Sequence, residues 1–463
     1  MKNIASARPT LADSSDGLPA PQRQWAIFTL VLGIAMAVLD GSIVNVALPT
    51  IAKELGASPA AAIWVVNAYQ LAVIATLLPL ASLGDTIGYR TISLSGLLIF
   101  TLASLACAMA DSLATLTAAR TLQGLGAAGV MSVNAALVRF IYPQRRLGRG
   151  IGIIALVVAL SAAAGPTVAA AILAVADWHW LFAINVPVGI AALAIGVRAL
   201  PATRRSPHPF DVISAILNAL TFGLVISGID GVGHGAPWPS VAARIGAGLL
   251  FGALLVRRQF KLPSPLLPVD LLRIPLFALS VSTSTCSFAA QMLAYVSLPF
   301  YLHDVLGRSA VETGLLMTPW PLLVGVAAPL AGRLADRYPA GLLGGIGLAV
   351  FAVGLSLLAL LPAAPADADI AWRMAVCGFG FGLFQSPNNR TIMNSAPRER
   401  SGGASGMLGT ARLAGQTLGA ALVALIFGVT ASSSVTIALT LAAGFAAVAA
   451  VISSLRLLAP TNP

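Results

Sequence analysis

Charge is scarce in this sequence, and so are cysteine, lysine and histidine. Only 9% of the 463 residues are charged, against roughly 25% in an average soluble domain. A chain so short of polar side chains cannot cover a water-exposed surface. The lysines are Lys2, Lys53 and Lys261, and none follows a glycine. Without a glycine-rich loop ending in lysine there is no Walker loop, which excludes ATP drive within this chain. His179, His208, His234 and His303 are scattered with no metal-ligand spacing, so no metal site is expected. Cys107, Cys286 and Cys377 all fall in apolar runs, where thiols act as small hydrophobes and imply no disulfide framework. Residues 1–22 lack an apolar stretch before a small-residue cleavage site, so they read as a disordered tail rather than a signal peptide.

Apolar residues make up 58% of the chain. Runs of about 20, enough to cross a hydrocarbon core of roughly 30 Å, are placed near 25–48, 60–82, 92–110, 113–138, 148–173, 180–199, 212–229, 239–256, 276–301, 311–332, 341–362, 371–389, 404–428 and 433–456. The expected fold is an all-α integral membrane protein with fourteen transmembrane helices. A net charge of +11 suggests nucleic acid in a soluble protein, but here its distribution decides. With the N-terminus inside, 21 of the 27 basic residues fall on the cytoplasmic side, four (Lys53, Arg244, Arg308, Arg373) outside, and two (Arg120, Arg412) within spans. That bias is the positive-inside rule; it puts both termini in the cytoplasm and removes the case for nucleic acid. Trp25, Trp178, Trp180, Trp238 and Trp372 lie near span ends and read as headgroup anchors.

The chain also repeats itself. Leu55-Gly56-Ala57-Ser58 matches Leu306-Gly307-Arg308-Ser309 and Leu83-Gly84-Asp85 matches Leu334-Ala335-Asp336, both at an offset of 251; Leu48-Pro49 matches Leu298-Pro299 at 250. Ordered matches at near-constant spacing imply two related halves of parallel topology. The division expected is a tail at 1–22, a six-helix bundle at 23–200, two inserted helices with linkers at 201–274, a second six-helix bundle at 275–456 and a tail at 457–463.

Several motifs stand in order along the first half. They are Leu39-Asp40-Gly41-Ser42-Ile43-Val44-Asn45-Val46-Ala47-Leu48-Pro49, the Gly84-Asp85 to Arg90 loop, Arg120 with Gln123 and Gly124, Gly165-Pro166, Trp178 with Trp180, and Asn185 with Pro187. Over nearly its whole length the sequence resembles the fourteen-helix drug/proton antiporters of the major facilitator superfamily, the QacA/EmrB type. That resemblance implies the major facilitator fold and export driven by the proton gradient, with no cofactor.

Asp40 is the only acid placed deep in a span, and a carboxylate in hydrocarbon is costly enough to suggest function. Helix rise puts it about 12 Å below the outer end of the first span and Arg120 about 10 Å below the same surface. Asn67, Tyr69 and Gln123 fall at a similar level. A permanent ion pair locking two helices is one reading. The favoured one is a switch, in which a proton and a cationic cargo compete for Asp40. With Gln291 and Gln385 as the polar groups of the second half, one proton per cycle and a preference for monovalent cations are expected. Asp85, Gly88 and Arg90, echoed by Asp336, resemble the superfamily's gating loop, although a plain basic turn accounts for them too. Gly165 and Pro166 stand where the antiporter motif does; plain helix packing is the alternative. Trp64, Trp320, Phe384, Gln385, Asn388 and Arg412 are candidate cargo contacts, with core or lipid packing the alternative for each.

The resulting expectation is a proton-coupled exporter of lipophilic, mainly cationic drugs in a bacterial inner membrane. Its partners are small-molecule substrates, protons and the bilayer, with a periplasmic adaptor left open. The rival is a transporter of anionic or zwitterionic metabolites, held by Arg120 and Arg412.

Overall fold

The computed structural model describes residues 17–143, 146–203, 210–233, 235–262, 265–397, 400–430 and 433–458. Most of the N-terminal tail, the end of the C-terminal tail, His208 and His234 lie outside the described residues. The first half is built from α1 (Ala20–Glu54), α2 (Pro59–Ala62), α3 (Trp64–Ile87), α4 (Tyr89–Ala108), α5 (Leu113–Ile141), α6 (Leu147–Leu173), α7 (Trp180–Ala183) and α8 (Asn185–Ala199). A hairpin of α9 (Val212–Gly233) and α10 (Trp238–Gln259) follows. The remainder is α11 (Pro275–Phe300), α12 (Ala310–Met317), α13 (Pro319–Leu334), α14 (Ala340–Ala359), α15 (Asp367–Ser395), α16 (Ser401–Val429) and α17 (Ser434–Leu455). The expected tail at 1–22 is too long by three residues. Pro21, tolerated in a helix's first turn because its missing N–H has no partner there anyway, lets α1 begin at Ala20.

Among the described residues, thirteen helical segments are long and apolar enough to cross a bilayer. The chain is thus a multi-pass membrane protein. The segment expected at 371–389 is α15, whose 29 residues are also long enough but carry Asp367, Asp369, Arg373, Gln385, Asn388 and Arg390. Packing explains how such a helix is tolerated. It lies against α11, α13 and α14, its Arg373 pairs with Asp369 one turn away, and Asn388 bonds to α11.

The repeat is visible in the backbone. Gly56 (φ 60°) and Gly307 (φ 65°), 251 residues apart, take the left-handed conformation that closes α1 and its counterpart α11. Two residues on, Ser58 and Ser309 cap the N-termini of α2 and α12. Within each half the pairing also repeats, α4 with α5 and α14 with α15, α3 with α5 and α13 with α15.

The two sides of the membrane differ. On the side away from the termini one core joins the halves, with Ile43, Val44 and Leu48 in the same cluster as Leu293, Leu298 and Met317. There Thr167 of α6 also bonds Thr318 at 2.9 Å. On the side of the termini each half has its own cluster, Ala26, Leu30, Ile92 and Val133 in one and Phe277, Ile392, Ala404 and Met407 in the other. The shared core thus lies on the far side, while on the terminal side the halves meet where Gly406 and Gly409 of α16 lie against Leu78 and Leu77 of α3.

The α9–α10 hairpin covers the seam where α3 meets α16. Pro79 in α3 has no N–H to offer Ala75, whose carbonyl is taken instead by Asn218 Nδ2 of α9 at 2.8 Å. At the far end of α9, Asp230 accepts from the Trp64 indole at 2.6 Å. At the other end Asp211 bonds Ser214 in the first turn of α9 and takes a two-point grip from Arg258 of α10, at 3.2 and 3.0 Å. Desolvation raises the Asp211 pKa, but the Arg258 and Ser214 hydrogen bonds outweigh it and hold the carboxyl below its ordinary value.

Candidate functional site

Asp40 of α1 and Arg120 of α5 face each other in the first half, each side chain only 1% exposed. Both lie on small-residue helices. Gly124 of α5 lets α3 approach so closely that a side chain there would strike the Tyr69 carbonyl. Arg120 Nη1 donates to Asp40 Oδ2. The other carboxylate oxygen accepts from Gln123 Nε2 at 2.8 Å and from Asn185 Nδ2 of α8 at 2.9 Å. Arg120 also donates to Gln123 Oε1 at 2.5 Å and through Nε to the Val65 carbonyl at 3.0 Å. Its guanidinium lies 4.3 Å from the centre of the Tyr69 ring and 5.6 Å from that of Phe182. Gln123 is itself fixed by Ser104 of α4 at 2.9 Å, and Tyr69 by the Ala37 carbonyl at 2.9 Å.

Five elements of one half therefore meet on a single carboxylate and its partner. In a medium this poorly polarisable, separating the charges is costly and so is leaving either alone. Three donors are aimed at the carboxylate, one at Oδ2 and two at Oδ1, so both oxygens are engaged as acceptors.

Of the residues singled out in the sequence, Asp40, Arg120, Gln123 and Tyr69 are thus brought together. Asn67, one turn inside α3, is fully buried with neither amide atom hydrogen-bonded among the described residues. Asn185, Ser104 and Cys107, whose thiol reaches Gln123 Oε1 at 3.6 Å, complete the site unannounced. Of these only Asn185 stood in a motif that could have revealed it.

The second half differs from expectation. Trp320 and Phe384 are fully buried in a ladder of edge-on rings that runs Tyr295, Trp320, Phe351, Phe381, Phe384. These rings pack α11, α13, α14 and α15 together, and the Trp320 indole N–H has no hydrogen-bond partner among the described residues. Asn388 is also taken, donating to Ser284 Oγ at 2.8 Å and accepting from Arg456 Nη1 at 2.7 Å. Gln291 on α11 and Gln385 on α15 are half-buried. Arg412 of α16 has a buried Nε with no hydrogen-bond partner, and its neighbour Leu413 clusters with Tyr69.

Among the gating candidates, Asp85 accepts from the hydroxyl of Tyr89 in the adjoining turn. Gly88 (φ 102°) makes the break between α3 and α4, and Arg90 donates to the Val197 carbonyl of α8. Asp336 pairs with Arg390 of α15 at 2.5 Å. Gly165 admits Ser42 of α1, whose hydroxyl would lie 1.9 Å from an added side chain, and the Pro166 carbonyl faces Gly314 of α12. Trp178 is a correction. Its ring is fully buried and donates to Glu54 at 2.7 Å, because the carboxylate at the end of α1 gives the indole N–H a partner inside the protein. Trp25, Trp180, Trp238 and Trp372 are exposed, as anchors are.

Two related helical bundles that share a core on one side of the membrane, with an ion pair enclosed in the first, are the architecture of a membrane transporter. The chain belongs to the Major Facilitator Superfamily, whose family model matches residues 30–420. It is 60% identical to "Uncharacterized transporter YebQ" of Escherichia coli (strain K12), over 97% of this chain and 98% of that one. It is 30% identical to "Riboflavin transporter RibZ" of Clostridioides difficile, covering 88% and 89%. It is also 30% identical to "Multidrug efflux pump LfrA" of Mycolicibacterium smegmatis, covering 88% and 81%. A crystal structure of a bacterial homologue of the human lysosomal transporter Spinster shares the fold, with a TM-score of 0.68 at 15% identity over 96% of this chain and 100% of that one.

Proposed function

We propose that the chain is a proton-coupled antiporter that exports lipophilic, mainly cationic organic compounds across a bacterial inner membrane, with both termini in the cytoplasm. The enclosed Asp40–Arg120 pair carries this reading. On this reading the ionised pair corresponds to a carrier that has released its proton inward and can receive cargo. A cation approaching the carboxylate competes with Arg120, whose guanidinium keeps the Val65 carbonyl, Gln123 Oε1 and the Tyr69 ring as alternative partners. When the carrier opens outward, a proton replaces the cargo on Asp40 and the emptied site returns. The cycle needs no cofactor, because the proton gradient supplies the drive. Cargo, protons and lipid are its partners, and Gly165 with Pro166 holds α6 against α1 and α12 to limit leak. Drug export by LfrA supports the direction of transport.

The test is counterflow in proteoliposomes with an imposed pH gradient. A quaternary ammonium compound should dissipate the gradient with wild-type protein and fail to do so with Asp40→Asn. Retention of pH-dependent efflux by that variant overturns the assignment.

One observation favours a second cargo class. Arg412 is a guanidinium near mid-span with an unpartnered Nε, and such a group needs an anion or water. A carboxylate or phenolate on the cargo would supply it. On this reading Arg412→Gln loses transport of anionic or zwitterionic compounds while quaternary ammonium transport persists, and equal loss of both sinks it.

A further inference from the structure

On the side of the termini, outside the ion-pair site, a cavity of about 130 Å³ is lined by Arg23, Gln24, Tyr142, Arg146, Arg149 and Ile153. Three elements build it. The Leu18 N–H bonds the Ile141 carbonyl at 3.1 Å, which ties the start of α1 to the end of α5 and brings Arg23 over the Tyr142 ring, 5.8 Å from its centre. Gly150 then lets α6 lie on the other edge of that ring, since a side chain there would stand 2.6 Å from a ring carbon. The ring lines the cavity together with Arg146, which precedes α6, and Arg149 in its first turn.

Three guanidinium groups thus face one small space, and among the described residues none of them has a carboxylate partner. Elsewhere on the same side Arg258, Arg390 and Arg400 pair with Asp211, Asp336 and Asp270. A bias towards basic loops explains why arginines are present on this side, but it does not require three to converge without acids. Converging like charges repel unless an anion joins them, and the flat arginine fork matches phosphate oxygens two at a time.

The space is too small for most other anions. Pockets for drug-sized ligands begin at roughly 300 Å³, which rules out a nucleotide or the transported cargo. Its height points to lipid. Trp25 (56% exposed) and Phe28 (44%), on the helix that carries Arg23, mark the headgroup layer. Beyond Arg149, α6 exposes Ile151 and Leu156, apolar surface along which an acyl chain can lie.

We propose that Arg23, Arg146 and Arg149 form a binding site for the phosphate of an anionic phospholipid headgroup. A bound lipid bridges the ends of α1 and α6, the two helices joined higher up by Ser42 and Gly165.

The test uses the full-length protein in detergent, titrated with short-chain phosphatidylglycerol and followed by native mass spectrometry. One lipid should bind the wild type, and Arg146→Ala/Arg149→Ala should weaken it about 30-fold, the effect of two surface charges. Arg146→Lys/Arg149→Lys, which keeps the charges but not the forks and guards against a folding artefact, should bind more tightly than the alanine pair and more weakly than wild type. Arg257→Ala/Lys261→Ala, which removes two charges elsewhere on this side, should change nothing. The proposal is overturned if that control weakens binding equally, if phosphatidylcholine binds as well, or if inorganic phosphate displaces the lipid at matching concentration. Binding that appears only in Asp13→Asn/Asp16→Asn assigns the cavity to the chain's own acids and overturns it as well.

Discussion

The two halves share a backbone plan but fill their centres in opposite ways. In the first half the central layer holds Asp40, Arg120, Gln123 and Asn185, each bonded to another. In the second, Gln291 stands 251 residues beyond Asp40. On α15 the glycine matching Gly126 is Gly380, for a side chain at either would strike the amide of Phe100 or Phe351, themselves 251 apart. The same 254-residue step from Arg120 reaches Met374, fully buried beneath the aromatic ladder. An ion pair on one side thus answers to a neutral amide and a thioether on the other. Coulombic packing can be rewritten by a single proton, whereas ring packing cannot. The charge that a proton could rewrite is thus confined to the central layer of the first half, and the rings to that of the second.

The sharpest attempt to break this contrast transfers the acid. Asp40→Asn/Gln291→Asp keeps the number of carboxyl groups but should show no pH-driven efflux in proteoliposomes, since Met374 cannot replace Arg120; restored efflux means the halves are interchangeable. Next comes the energy of the pair. Arg120→Met alone should destabilise the protein by about 3–5 kcal/mol by leaving a buried charge unmatched. Adding Asp40→Asn should recover most of that loss in thermal unfolding, and additive losses would show that the two side chains are not coupled.

For the second half, Trp320→Ala should cost about 3–5 kcal/mol of stability. Cargo affinity of the surviving folded fraction should be unchanged; a shift in cargo selectivity would return this ring to the binding site. The smallest effect belongs to the hairpin. The folded Asp211 carboxyl lies below its unfolded pKa, so its contribution is present above the ordinary carboxylate range and is lost as pH falls through the folded value. Unfolding of wild type should steepen with acid in that window relative to Asp211→Asn, and parallel curves would show that the contact is idle.

The spans were legible because their length is set by the bilayer and needs no tertiary information. The exception, α15, reads as less apolar than its neighbours because its polar groups find partners inside the protein, Arg373 in Asp369 one turn away and the Leu357 carbonyl of α14, Asn388 in Ser284 of α11. Asp40 and Arg120 were legible for a related reason, since isolated charges in hydrocarbon stand out and helix rise fixes their depth. Asn185, Ser104 and Cys107 were not, because small polar residues are common in spans and only the packing of α4 and α8 brings them to the carboxylate. For Trp320 and Phe384 the sequence offers both roles, because an aromatic ring is equally at home against cargo or in a core, and the edge-on stack they enter joins α11, α13, α14 and α15, which no local pattern reveals.

The carbonyl released by Pro79 turns a defect in α3 into a fastening. Asn218 closes that gap from α9, and Trp64 clasps Asp230 near the far end, so the inserted hairpin is pinned to the first half at two heights. Towards the second half it presents Gly233 flush against Gly428, backbone to backbone with no side chain between them. The same hairpin is therefore fastened by side-chain hydrogen bonds on one edge and held by close backbone packing on the other.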